Sequence, residues 1–148
     1  MNPRNKSGRF DILIIGGGAA GLMAAVRLCG TGKRVLVLEK MRQAGLKLRI
    51  TGKGRCNLTN TLPINDFLPH CSNGERNLRN AVSFFSNQDT INFFEDLGLP
   101  LVEERGHRGF PRSGKSLDVF LSLVRKIEAS KNVDLVCNKG VERILIEN

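Results

Sequence analysis

The sequence predicts an α/β fold in which a parallel sheet is flanked by helices. Two short β-branched apolar runs, Asp11–Ile15 and Val35–Leu38, have the composition of buried strands. Between them, apolar residues repeat with the period of a helix from Ala19 to Cys29. A strand, a helix and a strand in this order form a β-α-β unit, and its crossover makes the two strands parallel.

The remaining pattern extends this fold and leaves one long irregular segment. We expect the first strand to be buried on both faces of the sheet, because its apolar run is nearly continuous. Met41–Pro69 shows little periodicity, and irregular segments of this length are usually functional. The other predictions are helices over about Glu75–Ser86 and Gln88–Leu97, a strand Leu101–Glu104, a hairpin or loop Arg105–Ser113, a helix capped by Ser116 and ending at Ala129, and strands Val133–Cys137 and Val141–Ile146 joined by the turn Asn138–Gly140.

The composition fits one domain over residues 1–148, with a net charge of +9. Six basic residues fall between Lys40 and Arg55, and no acid occurs from Lys40 to Asn65. This favours a local phosphate site and leaves a nucleic-acid-binding face open as the alternative. No apolar run reaches the roughly 18–20 residues of a membrane span, so we expect a soluble cytoplasmic protein. The four cysteines lack metal-ligand spacing, and we expect reduced thiols and no metal site.

A glycine motif follows the first strand and opens the first helix. Its residues are Gly16, Gly18 and Gly21, and Glu39 stands 23 residues after Gly16, at the end of the second strand. This is the spacing of a dinucleotide-binding fingerprint. The motif alone does not distinguish FAD from NAD.

Each position of the motif has a physical reason. Gly16 permits the tight turn, Gly18 lacks the Cβ that would block a pyrophosphate, and Gly21 lets the helix approach the sheet. Backbone N–H groups near Ala19 and Ala20 face an anion along the helix dipole. Glu39 can accept hydrogen bonds from both ribose hydroxyls, and its charge disfavours the 2′-phosphate of NADP.

The basic, glycine-rich segment Gly45–Asn60 favours a flavin dinucleotide. FAD is an extended molecule, so both its pyrophosphate and its flavin ring could contact this segment. A domain that binds a nicotinamide dinucleotide does not need such a segment directly after the ribose-binding position. The sequence therefore predicts FAD as the cofactor.

Four stretches resemble the aminoacetone-oxidase-like family of FAD-binding flavoproteins, which also includes the bile-acid-pathway reductase-like proteins. They are Gly16–Ala25, Leu38–Lys40, Gly52–Asn60 and Phe110–Val119. The resemblance covers nearly the whole chain and implies a Rossmann-like FAD-binding domain of the glutathione-reductase type. Family members are longer, so it also implies that this chain is an N-terminal fragment, with the substrate domain and the C-terminal FAD segment absent and the sheet incomplete.

The resemblance also implies where FAD is held. It assigns Ala20 to the pyrophosphate, Glu39 to the ribose, the backbone of Val141 to the adenine, and Arg55 and its neighbours to the flavin end. Family members often have Arg where this chain has Leu46, so that contact comes from the backbone or is lost. The full predicted set is Gly16, Gly18, Ala19, Ala20, Gly21, Glu39, Lys40, Leu46, Lys47, Gly54, Arg55, Cys56, Asn57 and Val141.

The implied function is that of an FAD-dependent oxidoreductase acting on a small-molecule substrate, with NAD(P)H as one candidate electron donor. No nucleic acid or membrane partner is expected, and the oligomeric state is open. No side chain is singled out as a general acid or base. The alternative is a non-catalytic basic module that binds a nucleotide or nucleic acid.

Three features of the sequence are open to two interpretations each. Arg55 could stabilise the negative charge of a reduced flavin or only solvate its loop. Cys56 is expected to be a small packed side chain and not half of a redox disulfide, because the nearest cysteine, Cys71, is 15 residues away. Arg105–Gly109 could contact a substrate or a nicotinamide phosphate, or form a solvated hairpin tip.

Overall fold

The computed structural model describes residues 8–71 and 75–146. The chain divides into two compact units, one formed by Met1–Leu48 with Leu123–Asn148 and the other by Arg49–Ser122. The assignment of residues 1–148 to one domain stays a prediction.

The first unit contains the predicted parallel sheet. Its strands are β1 (Ile12–Ile15), β2 (Val35–Leu38) and β6 (Val133–Val136), in the order β1-β2-β6. Val35 is the register partner of Ile12 on one side and of Val133 on the other. Both pairings are parallel, which confirms the strand direction predicted from the β-α-β pattern.

Two helices accompany this sheet, and both were predicted from helical periodicity. Helix α1 (Ala19–Leu28) connects β1 to β2. Helix α6 (Ser116–Ala129), which belongs to this unit from Leu123 onward, precedes β6. The apolar side chains of this unit form its buried core: Leu22, Ala25, Val26, Val35, Val37, Leu123, Ile127 and Val133.

The prediction that β1 is buried on both faces is wrong. Leu13 and Ile15 are 60% and 57% exposed, whereas Ile12 and Ile14 are half-buried. Successive side chains of a strand point to opposite faces, so one face of β1 is covered and the other is open. Among the described residues β1 is also an edge strand, because its pairing is with β2.

The predicted strand Val141–Ile146 is also wrong within the described residues. This segment has no strand conformation, and Ile144, Leu145 and Ile146 are 69%, 71% and 88% exposed. An isolated apolar run cannot form a ladder without a neighbouring strand to bind its N–H and C=O groups. The predicted turn before it instead binds the loop after β2, where Asn138 N–H donates to Met41 O over 3.0 Å.

The second unit contains an antiparallel sheet of three strands, β3 (Thr59–Asn60), β4 (Leu101–Glu104) and β5 (Arg108–Pro111), in the order β3-β5-β4. The β4–β5 hairpin confirms the hairpin alternative for Arg105–Ser113. The helices of this unit are α3 (Ile64–Phe67), a 3₁₀ helix (Leu68–His70), α4 (Glu75–Phe84) and α5 (Asn87–Asp96). Ser86 and Asp89 form a capping box at the start of α5.

Two sequence-based predictions in this part of the chain need correction. Met41–Pro69 is more regular than expected, since it contains helix α2 (Leu46–Gly54) as well as β3 and α3. Glycines and basic residues hide the period of α2, because few of its side chains are apolar. Ser116 is the first residue of α6 and not its cap, and its hydroxyl donates to the carbonyl oxygen of Arg49.

Within the described ranges, no helix has both the length and the apolar character that crossing a membrane requires.

One asparagine side chain connects two loops at the end of the sheet away from the glycine turn. Asn132 Nδ2 donates to Leu28 O (2.9 Å) and to Lys33 O (2.7 Å). Its Oδ1 accepts from Gly30 N–H (2.9 Å) and from the Ser130 hydroxyl (2.6 Å). Both donor hydrogens and both acceptor lone pairs of the amide are used, so the side chain fixes the α1–β2 connection against the start of β6.

We expect Asn132→Ala to lower the free energy of unfolding by roughly 1–2 kcal/mol, because it leaves two carbonyls and one N–H without their partner. Urea unfolding followed by circular dichroism measures this change. Lys131→Ala, an exposed neighbour, serves as the control and should leave stability unchanged. Equal stability of both variants would contradict the role assigned to Asn132.

Candidate functional site

The protein's own backbone requires glycine at two of the three motif positions, Gly16 and Gly21. Gly16 has a φ of +100°, a left-handed conformation that disfavours other residues. A Cβ on Gly21 would lie 1.9 Å from Gly16 O, so only glycine lets α1 approach the turn this closely. These are the conformational reasons predicted for both positions.

Gly18 is different, because the protein's own structure does not require glycine there. Its φ is −77°, and a Cβ would meet no atom within 4 Å. Gly18 is the N-cap residue of α1 but offers no capping side chain, and the first turn of this helix has no acidic residue. The turn is therefore an open cradle in front of a helix N-terminus, which suits an anion such as a pyrophosphate.

Glu39 is oriented by two backbone hydrogen bonds. Its Oε2 accepts from Gly17 N–H over 2.7 Å, and its Oε1 accepts from Met41 N–H over 2.8 Å. Each carboxylate oxygen can accept a further hydrogen bond. The carboxylate is thus fixed beside the glycine turn and retains the capacity to bind two hydroxyl groups.

The two residues before α2 lie against the same turn. Gly45 N–H donates to Gly17 O over 2.8 Å, and a Cβ on Gly17 would lie 3.0 Å from the Ala44 Cβ. Leu46 and Lys47 follow directly, and both are exposed. The structure therefore brings these two predicted residues next to the glycine turn, although sequence spacing could not show it.

A cavity of about 250 Å³ lies at the carboxyl end of β1 and β2. Four predicted residues line it, namely Gly16, Glu39, Lys40 and Val141. This is the edge of an α/β sheet where ligands bind. Val141 reaches it without forming the predicted strand.

Lys139, which also lines the cavity, was missed by sequence reasoning. Its N–H donates to Glu39 O over 2.9 Å, and this bond brings the loop after β6 to the cavity. The available signal was the turn Asn138–Gly140 directly after a strand of the parallel sheet.

In the second unit, the predicted residues Gly54, Arg55, Cys56 and Asn57 form a strained loop. Helix α2 is interrupted at Thr51, and Gly52, Lys53, Gly54 and Cys56 all have φ between 55° and 84°. Left-handed conformations cost free energy for Lys and Cys, and such strain persists only where the surroundings hold it. Here Cys56 N–H donates to Thr51 O and Arg55 N–H to Gly52 O, over 3.0 and 3.1 Å.

Side chains of this loop fix it further. Cys56 is 2% exposed, and burial raises the pKa of its thiol. This favours the packed, unreactive interpretation of Cys56, and all four cysteines are free thiols. With its nitrogen turned toward the carbonyl oxygens, the Asn57 amide donates to Thr59 O (3.0 Å) and Gly109 O (3.2 Å).

Arg55 has a partner that the sequence did not reveal. Its guanidinium forms a two-pronged ion pair with Glu104 of β4, one bond of which, from Nη1 to Oε2, is 3.1 Å long. The guanidinium also lies over the Phe110 ring, 4.4 Å from its centroid. A hydrogen bond from Arg55 lowers the pKa of Glu104, and the same bond raises the pKa of Arg55. No local pattern links two residues 49 positions apart.

The residues of the first unit fit an FAD cofactor. An open cradle at a helix N-terminus suits its pyrophosphate, and the oriented carboxylate of Glu39 suits its ribose. The fold and this site define a Rossmann-like nucleotide-binding domain.

The particular family follows from comparison with known proteins. A family model described as "HI0933-like protein Rossmann domain" matches residues 10–148. The chain belongs to this family, which confirms its resemblance to the FAD-binding flavoproteins. FAD is the cofactor of this oxidoreductase family.

Individual relatives match over part of their length. The 3-dehydro-bile acid delta(4,6)-reductase of Clostridium scindens is 35% identical over 122 residues, which are 80% of this chain and 29% of that protein. The ribosomal RNA dihydrouridine synthase of Escherichia coli is 44% identical over 52 residues, which are 35% of this chain and 13% of that protein. The chain thus spans less than a third of the length of these curated relatives.

The fold is also found among solved structures. The crystal structure of Thermovibrio ammonificans THI4 superposes with a TM-score of 0.55 at 15% identity, covering 86% of this chain and 38% of that one. This similarity concerns the fold alone.

We expect the Arg55–Glu104 pair to stabilise the protein at neutral pH and to lose this effect in acid. The folded pKa of Glu104 is lowered, so the contribution is present above its unfolded pKa and disappears as the pH falls through the folded value. The difference in Tm between the parent chain and Glu104→Gln should therefore shrink as the pH is lowered. Glu95→Gln, on an exposed position of α5, should show no such pH dependence, and a constant Tm difference for Glu104→Gln would contradict the expectation.

Proposed function

We propose that this chain is the FAD-binding part of a cytoplasmic flavoprotein oxidoreductase that acts on a small organic substrate. Bound FAD would supply hydride and electron transfer between a reductant, with NAD(P)H as the candidate, and that substrate. The chain's own residues would bind and orient the cofactor.

The observation that carries this proposal is the coincidence of an open glycine cradle with an oriented carboxylate. Gly18 has no structural need to be glycine, and Glu39 is held by Gly17 and Met41 so that it can accept two hydroxyl groups. In the proposed arrangement, the N–H groups at Ala19, Ala20 and Gly21 face the pyrophosphate. Lys40 and the backbone of Val141 would line the adenosine end of the cavity.

The remaining predicted contacts belong to the same proposal. Leu46 and Lys47 would line the cofactor beside the glycine turn, with Leu46 contributing through its backbone. Gly54, Arg55, Cys56 and Asn57 would approach the flavin end. Because Glu104 neutralises Arg55, this arginine contributes less positive charge there than the sequence suggests.

A second candidate is a module that binds nucleic acid. Residues 1–48 contain many Lys and Arg but only two acids, Asp11 and Glu39. An excess of positive charge in a sequence favours binding to phosphate backbones. The Escherichia coli relative, a ribosomal RNA dihydrouridine synthase, also favours testing RNA, either as a substrate of the flavoprotein or as a ligand without catalysis.

The first experiment is an absorbance spectrum of the purified chain before and after incubation with FAD and desalting. Retention of the flavin bands supports the proposal and means that this chain alone holds the cofactor. If a folded chain retains no flavin, the proposal fails for the chain by itself. The same measurement on a chain extended to the length of its relatives then tests the proposal for the longer protein.

Gly18→Leu distinguishes the two candidates. A Cβ at this position meets no protein atom within 4 Å, so the fold should persist, whereas the larger side chain fills the cradle. We expect at least a tenfold loss of FAD affinity, equivalent to about 1.4 kcal/mol, measured by flavin fluorescence titration. Binding of a labelled ribosomal RNA fragment should be unchanged.

Ala24→Leu is the matched control, because it adds similar bulk to an exposed position of the same helix. It should leave FAD affinity unchanged. Equal FAD affinity of the Gly18→Leu variant and the parent chain would contradict the pyrophosphate assignment.

A further inference from the structure

The chain reverses direction directly after β6, at the carboxyl end of the parallel sheet. Strand β6 runs parallel to β2 as far as Val136. Asn138 N–H then donates to Met41 O over 3.0 Å, whereas Lys139 N–H donates to Glu39 O over 2.9 Å. The partners of successive residues thus go back from Met41 to Glu39, so the chain turns back at Asn138.

Asn138 makes this reversal with a left-handed backbone. Its φ is +57°, a conformation that asparagine adopts more readily than most residues and that β-branched residues hardly adopt. Among the described residues of the first unit, it is the one non-glycine residue with a positive φ. Its side chain is exposed, so this position acts through the conformation of the backbone and not through packing.

The three residues after the reversal, 139–141, line the cavity at the carboxyl end of β1 and β2, and we call them the β6 wall. A Cβ on Gly140 would lie 3.6 Å from the Lys40 Cβ, which is van der Waals contact. Within the described ranges, the backbone hydrogen bonds that attach the β6 wall to the sheet are those of Asn138 and Lys139. The wall therefore depends on these two bonds.

Both bonds depend on the left-handed conformation of Asn138. One bond uses the peptide group before its Cα and the other uses the peptide group after it, and the angle between the two groups is set by its φ and ψ. A residue that avoids positive φ changes this angle, so the two bonds no longer form together. The β6 wall then leaves the cavity for part of the time, and a ligand that contacts the wall binds more weakly.

We propose that Asn138 is a positioning residue of the nucleotide site and that the β6 wall, which it holds in place, selects the base. This inference rests on the proposed function, in which the glycine cradle and Glu39 bind the pyrophosphate and the ribose. Every nucleoside diphosphate contains these two groups, so discrimination between bases must come from another part of the site.

The β6 wall has the chemistry for this selection. In the part of the chain that the structure describes, the backbone N–H and C=O groups of Gly140 and Val141 have no hydrogen-bond partner. A donor and an acceptor on one stretch of backbone can pair with the edge of an adenine, whose amino group donates and whose ring nitrogens accept. Such pairing requires that the wall is held in place, which is the role of Asn138.

The test compares two ligands that differ only in the base. ADP and UDP share the ribose and the pyrophosphate, and isothermal titration calorimetry measures the dissociation constant of each. We expect the parent chain to bind ADP about tenfold more tightly than UDP, because one base-specific hydrogen bond has an effect of this order. Equal affinities of the parent chain for ADP and UDP would overturn the inference.

Two substitutions of Asn138 separate backbone conformation from side-chain chemistry. Asn138→Val disfavours the positive φ and should lower the affinity for ADP about tenfold while leaving that for UDP unchanged, so the selectivity is lost. Asn138→Gly allows the positive φ and should keep the selectivity of the parent chain. Thr31→Val is the control, because it removes a hydrogen bond to Leu28 O (2.8 Å) at the other end of the same sheet, and it should leave both affinities unchanged.

The outcomes distinguish the inference from the proposed function. If the parent chain, extended to the length of its relatives if necessary, binds neither FAD nor ADP, the proposed function is overturned and the inference with it. If the parent chain binds both and Asn138→Val keeps its preference for ADP, only the inference is overturned. Equal losses of ADP and UDP affinity in Asn138→Val would also overturn the inference, since that pattern indicates a general loss of structure.

Discussion

The carboxylate of Glu39 joins the glycine turn after β1 to the segment after β2. By accepting from Gly17 and Met41, it satisfies two backbone N–H groups and fixes the edge of the sheet where the cavity opens. The loop after β6 is attached to the same residue, since Lys139 N–H donates to the Glu39 carbonyl. Glu39 therefore determines the local structure of the site and is also the proposed ribose ligand.

The second unit uses a different device, a strained loop held by long-range contacts. Arg55 lies over Phe110 and pairs with Glu104, and Asn57 binds the backbone of Gly109. Such contacts hold Lys53 and Cys56 in conformations that they rarely adopt. The charge of Arg55 is compensated by Glu104, so this arginine offers a ligand less positive charge than the sequence suggests.

Local patterns predicted the elements that local forces determine. The β1–α1–β2 unit, α5 and α6 were predicted from periodicity, because the residues of an amphipathic helix or an apolar strand carry its pattern themselves. Predictions were wrong where a partner decides the outcome. The apolar run Val141–Ile146 needs a neighbouring strand to become one, and the open face of β1 depends on what packs against it.

For the candidate site, the sequence by itself determined the glycine turn, Glu39 and the family. These depend on residue type and on spacing along one β-α-β unit, where the absence of a Cβ or the presence of a carboxylate is the relevant chemistry. Only the tertiary structure placed Val141 and Lys139 at the cavity and paired Arg55 with Glu104. Those contacts depend on the course of the backbone between residues that are far apart in the sequence.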